Sequence, residues 1–190
     1  MNMILIADLV TISATFVAAL IDIRSRRIPN WLTLTVSAAG IIGGFLFYAI
    51  HGDWSGGWQW LQFSGTGWLV GIGVFFIPFM LGGMGGGDVK LLGAIGALKG
   101  ASFVIETALL GALWGGLLAI VAIIYRKKPE ILKRFGFGVK LFAITGGKAG
   151  KEFMLPDDNV SEKEKVYVPY GVAIFLGVIM SYFVSLNLPI

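Results

Sequence analysis

The stretch Gly82-Gly83-Met84-Gly85-Gly86-Gly87-Asp88-Val89-Lys90 decides how this chain is read. What lies behind it, residues 86–99, is either a short membrane crossing or a loop. Five of the six residues 82–87 are glycine, which weakens a helix and lets another backbone come close. An acid follows at once. The segment 86–99 covers only about 21 Å at the helical rise per residue, whereas a bilayer is usually spanned by roughly 17–25 apolar residues. Hydropathy alone leaves it undecided.

Working outward, the rest of the chain supplies the missing constraint. Hydrophobic residues make up 56% of the 190 and charged residues 14%, against about a quarter charged in a soluble domain. Longer apolar runs lie at 4–22, 31–50, 66–84, 101–125 and 168–188. The loop after the first run carries Arg24, Arg26 and Arg27. The loop 126–167 carries ten basic residues, beginning with Arg126-Lys127-Lys128, and the loop 51–65 carries none. If 86–99 crosses the membrane, both basic loops face the same side, and fourteen of the fifteen Lys and Arg residues lie there with only Lys99 opposite. If it does not, the two basic loops face opposite sides, against the positive-inside bias.

The expectation is therefore an all-α polytopic membrane protein of six transmembrane helices, the fourth short. It forms a single membrane-embedded domain over 1–190 in the cytoplasmic membrane, with both termini outside. Asn30, after Pro29, is a candidate cap for the second helix. Residues 129–143 mix Ile131, Leu132, Phe135, Val139 and Phe142 with lysines and arginines, and read equally as an interfacial helix on an anionic leaflet or as an ordinary loop. Trp54, Trp58, Trp60 and Trp68 read as an outer interfacial belt.

Composition also narrows the chemistry. The chain has no cysteine and one histidine, His51, so thiolate zinc sites, a cysteine nucleophile, a histidine metal cluster and a Ser-His-Asp triad all lack their parts. No metal or cofactor is implied. Net charge is +4, but the basic residues sit in loops between apolar runs, so nucleic acid is not an expected partner. Gly146-Gly147-Lys148 lacks the spacing of a phosphate-binding loop.

Acids inside spans are functional candidates by default. Four qualify: Asp8, Asp22, Asp88 and Glu106. With six spans, Asp22 at the end of the first helix and Asp88 at the start of the fourth reach the same depth on the cytoplasmic side. Asp8 lies fourteen residues before Asp22, about 21 Å along the helix, and cannot join them. Glu106, one or two turns beyond Lys99, reads as a structural partner or an outward-facing group. Two carboxylates that share a site do not both ionise easily. One can then take a proton from an attacking water while the other donates to the developing oxyanion. The helix dipole would favour Asp88 as the ionised base and Asp22 as the acid. The plainer reading of the glycines is close packing of helices through small residues, as in Gly83-xxx-Gly87. A rival function is a small ion- or proton-coupled transporter, with the glycines marking a broken helix; transporter sites lie near the midplane, whereas these two acids lie at one face.

At these residues the chain resembles a known family. Asp22-Ile23-Arg24-Ser25-Arg26-Arg27-Ile28-Pro29-Asn30 and Gly85-Gly86-Gly87-Asp88-Val89-Lys90 resemble the two signature motifs of the type IV prepilin peptidases, GxGD-type membrane aspartic proteases. Val168-Pro169-Tyr170-Gly171-Val172-Ala173 resembles the proline-containing entry to their last helix. The resemblance implies that Asp22 and Asp88 are catalytic, with Gly85, Gly86, Gly87, Lys90, Arg24 and Pro29 binding substrate or supporting the pair. It also implies prepilin-like or preflagellin-like substrates, cut at the cytoplasmic face between a short basic leader and an apolar helix. The chain is most similar to the short, peptidase-only members serving Flp/Tad-type pili or archaeal flagellin-like subunits. Without cysteine, the methyltransferase activity of some relatives is not expected. Presenilin-like proteases share the GxGD idea, but the chain lacks their Tyr-Asp and Pro-Ala-Leu elements.

Overall fold

A computed structural model describes residues 3–51, 54–81, 84–125 and 169–187. Among them every regular element is helical. In chain order these are α1 (Met3–Ser25), α2 (Asn30–Ala38), a π-helical turn (Ala39–Gly43), α3 (Gly44–His51), α4 (Trp54–Met80), α5 (Gly86–Tyr125) and α6 (Tyr170–Asn187). The loop 126–167, with its expected interfacial helix, lies outside the described residues, as do Gly82 and Gly83. The chain divides into two compact units, Met1–Gly115 with Pro169–Ile190, and Gly116–Val168. Of the second only the end of α5 is described. Both aspartates and α6 belong to the first.

The solvent is written into which residues are inside. The face of α1 that is covered carries Ala7, Thr11, Ala14, Thr15, Ala18 and Asp22, a helical stripe of small and polar residues. Leu5, Leu9, Phe16 and Leu20 point outward. In water this is the wrong way round; in lipid, helices associate through small residues that let backbones approach. Thr11 and Thr15 donate to the carbonyls of Ala7 and Thr11, both at 2.7 Å, so their hydroxyls are satisfied within the helix. Four stretches, Met3–Ser25, Asn30–His51, Trp54–Met80 and Gly86–Ala122, are long and apolar enough to cross a membrane, and Tyr170–Val184 is a shorter apolar helix. The protein is thus a multi-pass helical membrane protein.

The undecided segment is a helix, and the most enclosed one. α5 is interrupted at Gly100, whose φ of 81° and ψ of 178° are not helical. This separates 86–99 from 101–125 at the boundary that hydropathy suggested. Every residue from Leu91 to Leu98 is buried. A helix enclosed on all sides needs neighbours without bulk, and α4 supplies them. A Cβ at Gly67 would stand 2.8 Å from the Cα of Gly100, and one at Gly71 would stand 2.7 Å from the carbonyl carbon of Leu92. On another side Gly40, in the π-helical turn, lies against the Ala97 backbone. Its carbonyl accepts the indole N–H of Trp60 at 2.8 Å, and the hydroxyl of Ser64 donates to the carbonyl of Ala97. α1 runs along α6, where Phe16 and Phe175 meet at 5.5 Å between ring centroids.

Three local expectations change. The third helix begins at Trp54, twelve residues before the expected 66. Its first turns are rich in glycine, glutamine and tryptophan, which a hydropathy scan scores as loop. Phe45 of α3 packs edge-on against both Trp54 and Trp58, and that contact holds the turns in helix. Trp54 and Trp58 are exposed, whereas Trp60, expected in the same belt, is partly covered and hydrogen-bonded inward. Asn30 does not cap α2: Pro29 is the cap residue, extended at φ −71° and ψ 141°, with no side-chain cap bond. Lys99 pairs with Asp8.

Candidate functional site

Asp22 sits on the last turn of α1. That helix closes through the amide of Arg26, which donates to the carbonyl of Asp22 at 2.9 Å, and Arg26 itself takes the left-handed conformation at φ 55°. The chain then passes through Ile28, buried, to Pro29, whose fixed φ suits the entry to α2. So Asp22 and the segment 26–30 are turned back onto the same end of the molecule.

Asp88 sits on the first turn of α5. Gly85 precedes the helix, and its amide donates to Asp88 Oδ2 at 3.1 Å, while the amide of Asp88 donates to the carbonyl of Gly85 at 3.1 Å. The carboxylate makes one half of a capping box, an acid at the third helical position reaching back to the residue before the helix; glycine has no side chain to return the bond, and its backbone carbonyl takes the Asp88 amide instead. Capping alone would explain an exposed Asp88. It does not explain one that is 8% exposed.

The two motifs are brought together by contacts between them. Gly87 lies directly on Ile28: a Cβ there would stand 2.9 Å from the Cβ of Ile28 and 3.1 Å from its carbonyl oxygen. Three residues on, Lys90 Nζ donates to Asn30 Oδ1 at 2.8 Å. The glycine before Asp88 is therefore needed for contact with the first motif, as well as for a loose chain. Asp22 is 3% exposed, and its Oδ2 accepts the amide of Gly171 at 2.8 Å. Tyr170, the neighbour of Gly171, packs edge-on to Phe75 of α4 at 5.9 Å.

Of the residues expected at the site, Asp22, Asp88, Gly85, Gly87, Lys90 and Pro29 come together here. Gly86 faces Phe79 of α4, which a Cβ would meet at 3.4 Å. Arg24 is exposed on the last turn of α1. Asp8 lies apart from the pair, as the helical distance requires, bonded to Lys99 and to the hydroxyl of Tyr182. Asn30, Tyr170 and Gly171 were missed as site residues. Their only sequence signal was that each stands inside a motif segment. The helix-dipole argument also changes. Asp88 lies at the start of α5, but Asp22 receives an amide from the start of α6, so each carboxylate meets the positive end of a helix and the dipole does not distinguish them. Among the described residues no group of three His, Cys, Asp or Glu side chains could hold a metal ion.

These features define a helical membrane protein with two acids enclosed at converging helix ends. Residues 9–120, more than half of the chain, match the model of the type IV leader peptidase family, and the chain belongs to that family. The matched segment contains both aspartates and ends before α6. No curated protein and no solved structure matches the chain.

Proposed function

We propose that the protein is an aspartic endopeptidase that removes the short basic leader of prepilin-like or preflagellin-like proteins at the cytoplasmic face of the membrane, with Asp22 and Asp88 as its catalytic pair. One observation carries this reading. In a member of the leader peptidase family, two acids 66 residues apart in sequence are buried at helix ends whose adjoining segments pack together, Gly87 on Ile28 and Lys90 on Asn30.

Two carboxylates in one low-dielectric site share a proton. The ionised one draws a proton from a bound water as the water oxygen attacks the scissile carbonyl carbon. The protonated one donates to the carbonyl oxygen as the tetrahedral intermediate forms. On collapse the C–N bond breaks, the leaving nitrogen takes a proton from the carboxyl that received the water's, and the hydroxyl formed on the carbonyl oxygen returns its proton to the other carboxylate as C=O re-forms, restoring the shared proton. The exposed Gly85, next to Asp88, presents little bulk to an incoming substrate, whose helix must open before its peptide bond can be attacked. Lys90 holds Asn30 and Gly87 holds Ile28, so the supporting residues act by keeping the two motifs together. Charge parity supports six crossings, with α5 counting as two on either side of Gly100 and both termini outside.

The test is cleavage of a synthetic prepilin-like peptide, a basic leader joined to an apolar helix, by the purified protein in detergent. A single new N-terminus at the leader boundary is expected from the wild type. Intact peptide after prolonged incubation with folded protein would refute the reading.

A further inference from the structure

The chemistry above uses α1 and α5, yet a buried hydrogen bond to Asp22 comes from neither. We propose that the first turn of α6, Tyr170–Gly171, is a third component of the site: Gly171 is the positioning residue for the Asp22 carboxylate, and Tyr170 is the wedge that holds Gly171 there. This rests on reading Asp22 as catalytic. It extends the site to a helix beyond the matched segment 9–120.

Geometry carries the inference. Asp22 is on the last turn of α1. Gly171, 149 residues away in sequence, donates its N–H to Oδ2 at 2.8 Å in a buried contact. The approach is possible because nothing projects from Gly171: a Cβ would stand 3.0 Å from the Cβ of Asp22 and 3.1 Å from Oδ2. Alanine would therefore push the carboxylate aside while leaving the amide in place. The turn is fixed in its own right. The ring of Tyr170 occupies a notch at Gly115, where a Cβ would stand 2.6 Å from Cε2 and 2.9 Å from Cζ, and Phe75 closes its other side edge-on. α6 thus cannot slide or rotate without moving the donor, and the carboxylate orientation is set before substrate arrives. Displacing a reacting group by a fraction of an ångström to about 1 Å lowers turnover up to about 100-fold.

Kinetics on the purified protein with the peptide substrate test this. Gly171→Ala should lower kcat about 10- to 100-fold, with KM within about twofold and the detergent melting temperature unchanged, because the substrate does not touch that amide. Val172→Ala, in the same turn, should keep the wild-type kcat. Tyr170→Leu removes the wedge and should lower kcat; Tyr170→Phe keeps the ring and should retain most of what Tyr170→Leu loses. Asp22→Asn is measured alongside. Inactive Asp22→Asn with Gly171→Ala at wild-type kcat would overturn the positioning role alone. Active Asp22→Asn would overturn the catalytic reading on which it rests. Equal losses in Tyr170→Phe and Tyr170→Leu would overturn the wedge by assigning the hydroxyl itself the effect. If Gly171→Ala does not fold, the comparison of the two Tyr170 variants decides.

Discussion

Asp22 and Asp88 each accept a backbone amide, from Gly171 and Gly85 respectively. Each is buried. In the proposed mechanism the two share a site and one of them carries a proton. Replacing either by asparagine preserves shape and hydrogen bonding but removes the shared proton. Asp22→Asn and Asp88→Asn are each expected to lower peptide cleavage by about 10³-fold or more, while membrane insertion and detergent melting temperature stay near those of the wild type. Cleavage within tenfold of wild type by either variant would remove that residue from the chemistry. Lys90 makes a different contribution. Its bond to Asn30 at 2.8 Å is a contact between exposed groups, so Lys90→Met should weaken turnover modestly, about tenfold or less, by loosening the motif contact.

At the scale of elements, the short helix before Gly100 is the part that other helices are built around. Its enclosure depends on Gly67 and Gly71 of α4, where any side chain meets the backbone of α5. Gly67→Ala should therefore destabilise the protein by roughly 1–3 kcal/mol, as overpacked cores do. Gly73→Ala, on the same helix with open space around it, should change stability by less than about 1 kcal/mol. Thermal unfolding of both in one detergent separates close packing from helix propensity; equal effects would mean that the glycines of α4 do not act through contact. Gly100 combines a left-handed φ of 81° with Phe63 packed over it, so a side chain there is opposed by both backbone strain and lack of space.

For the whole molecule, the end away from the acids is held by a second polar group. Lys99 pairs with Asp8, lies over the rings of Phe103 and Tyr182 at 5.1 and 5.2 Å, and Asp8 also accepts the Tyr182 hydroxyl at 3.0 Å. This joins α1, α5 and α6, the same three helices that carry Asp22, Asp88 and Gly171. Asp8→Asn leaves a partly buried ammonium without its counter-charge and should destabilise by about 2–3 kcal/mol. Combining it with Lys99→Met should recover part of that loss, and a double variant no more stable than Asp8→Asn would argue against the pair. The six-crossing arrangement predicts sidedness as well. In a chain without native cysteines, Ser25→Cys and Leu81→Cys should react with an impermeant thiol reagent from the cytoplasmic side, and His51→Cys from the opposite side. Labelling of Ser25→Cys and Leu81→Cys from different sides would contradict it.

The sequence by itself determined the solvent, the helical class and the separation of 86–99 from 101–125, because hydropathy and glycine position are properties of single segments. It also excluded Asp8 from the pair, since the helical rise is constant. It misplaced the start of α4, because turns held by Phe45 against Trp54 and Trp58 owe their helicity to a neighbour. Likewise it assigned Asn30 to capping, when that side chain instead receives Lys90 from 60 residues away. Which backbone amide holds Asp22 was decided only by the tertiary structure. A hydrogen bond between residues 149 apart leaves no periodic or compositional trace, and depends on how α1 and α6 lie along each other.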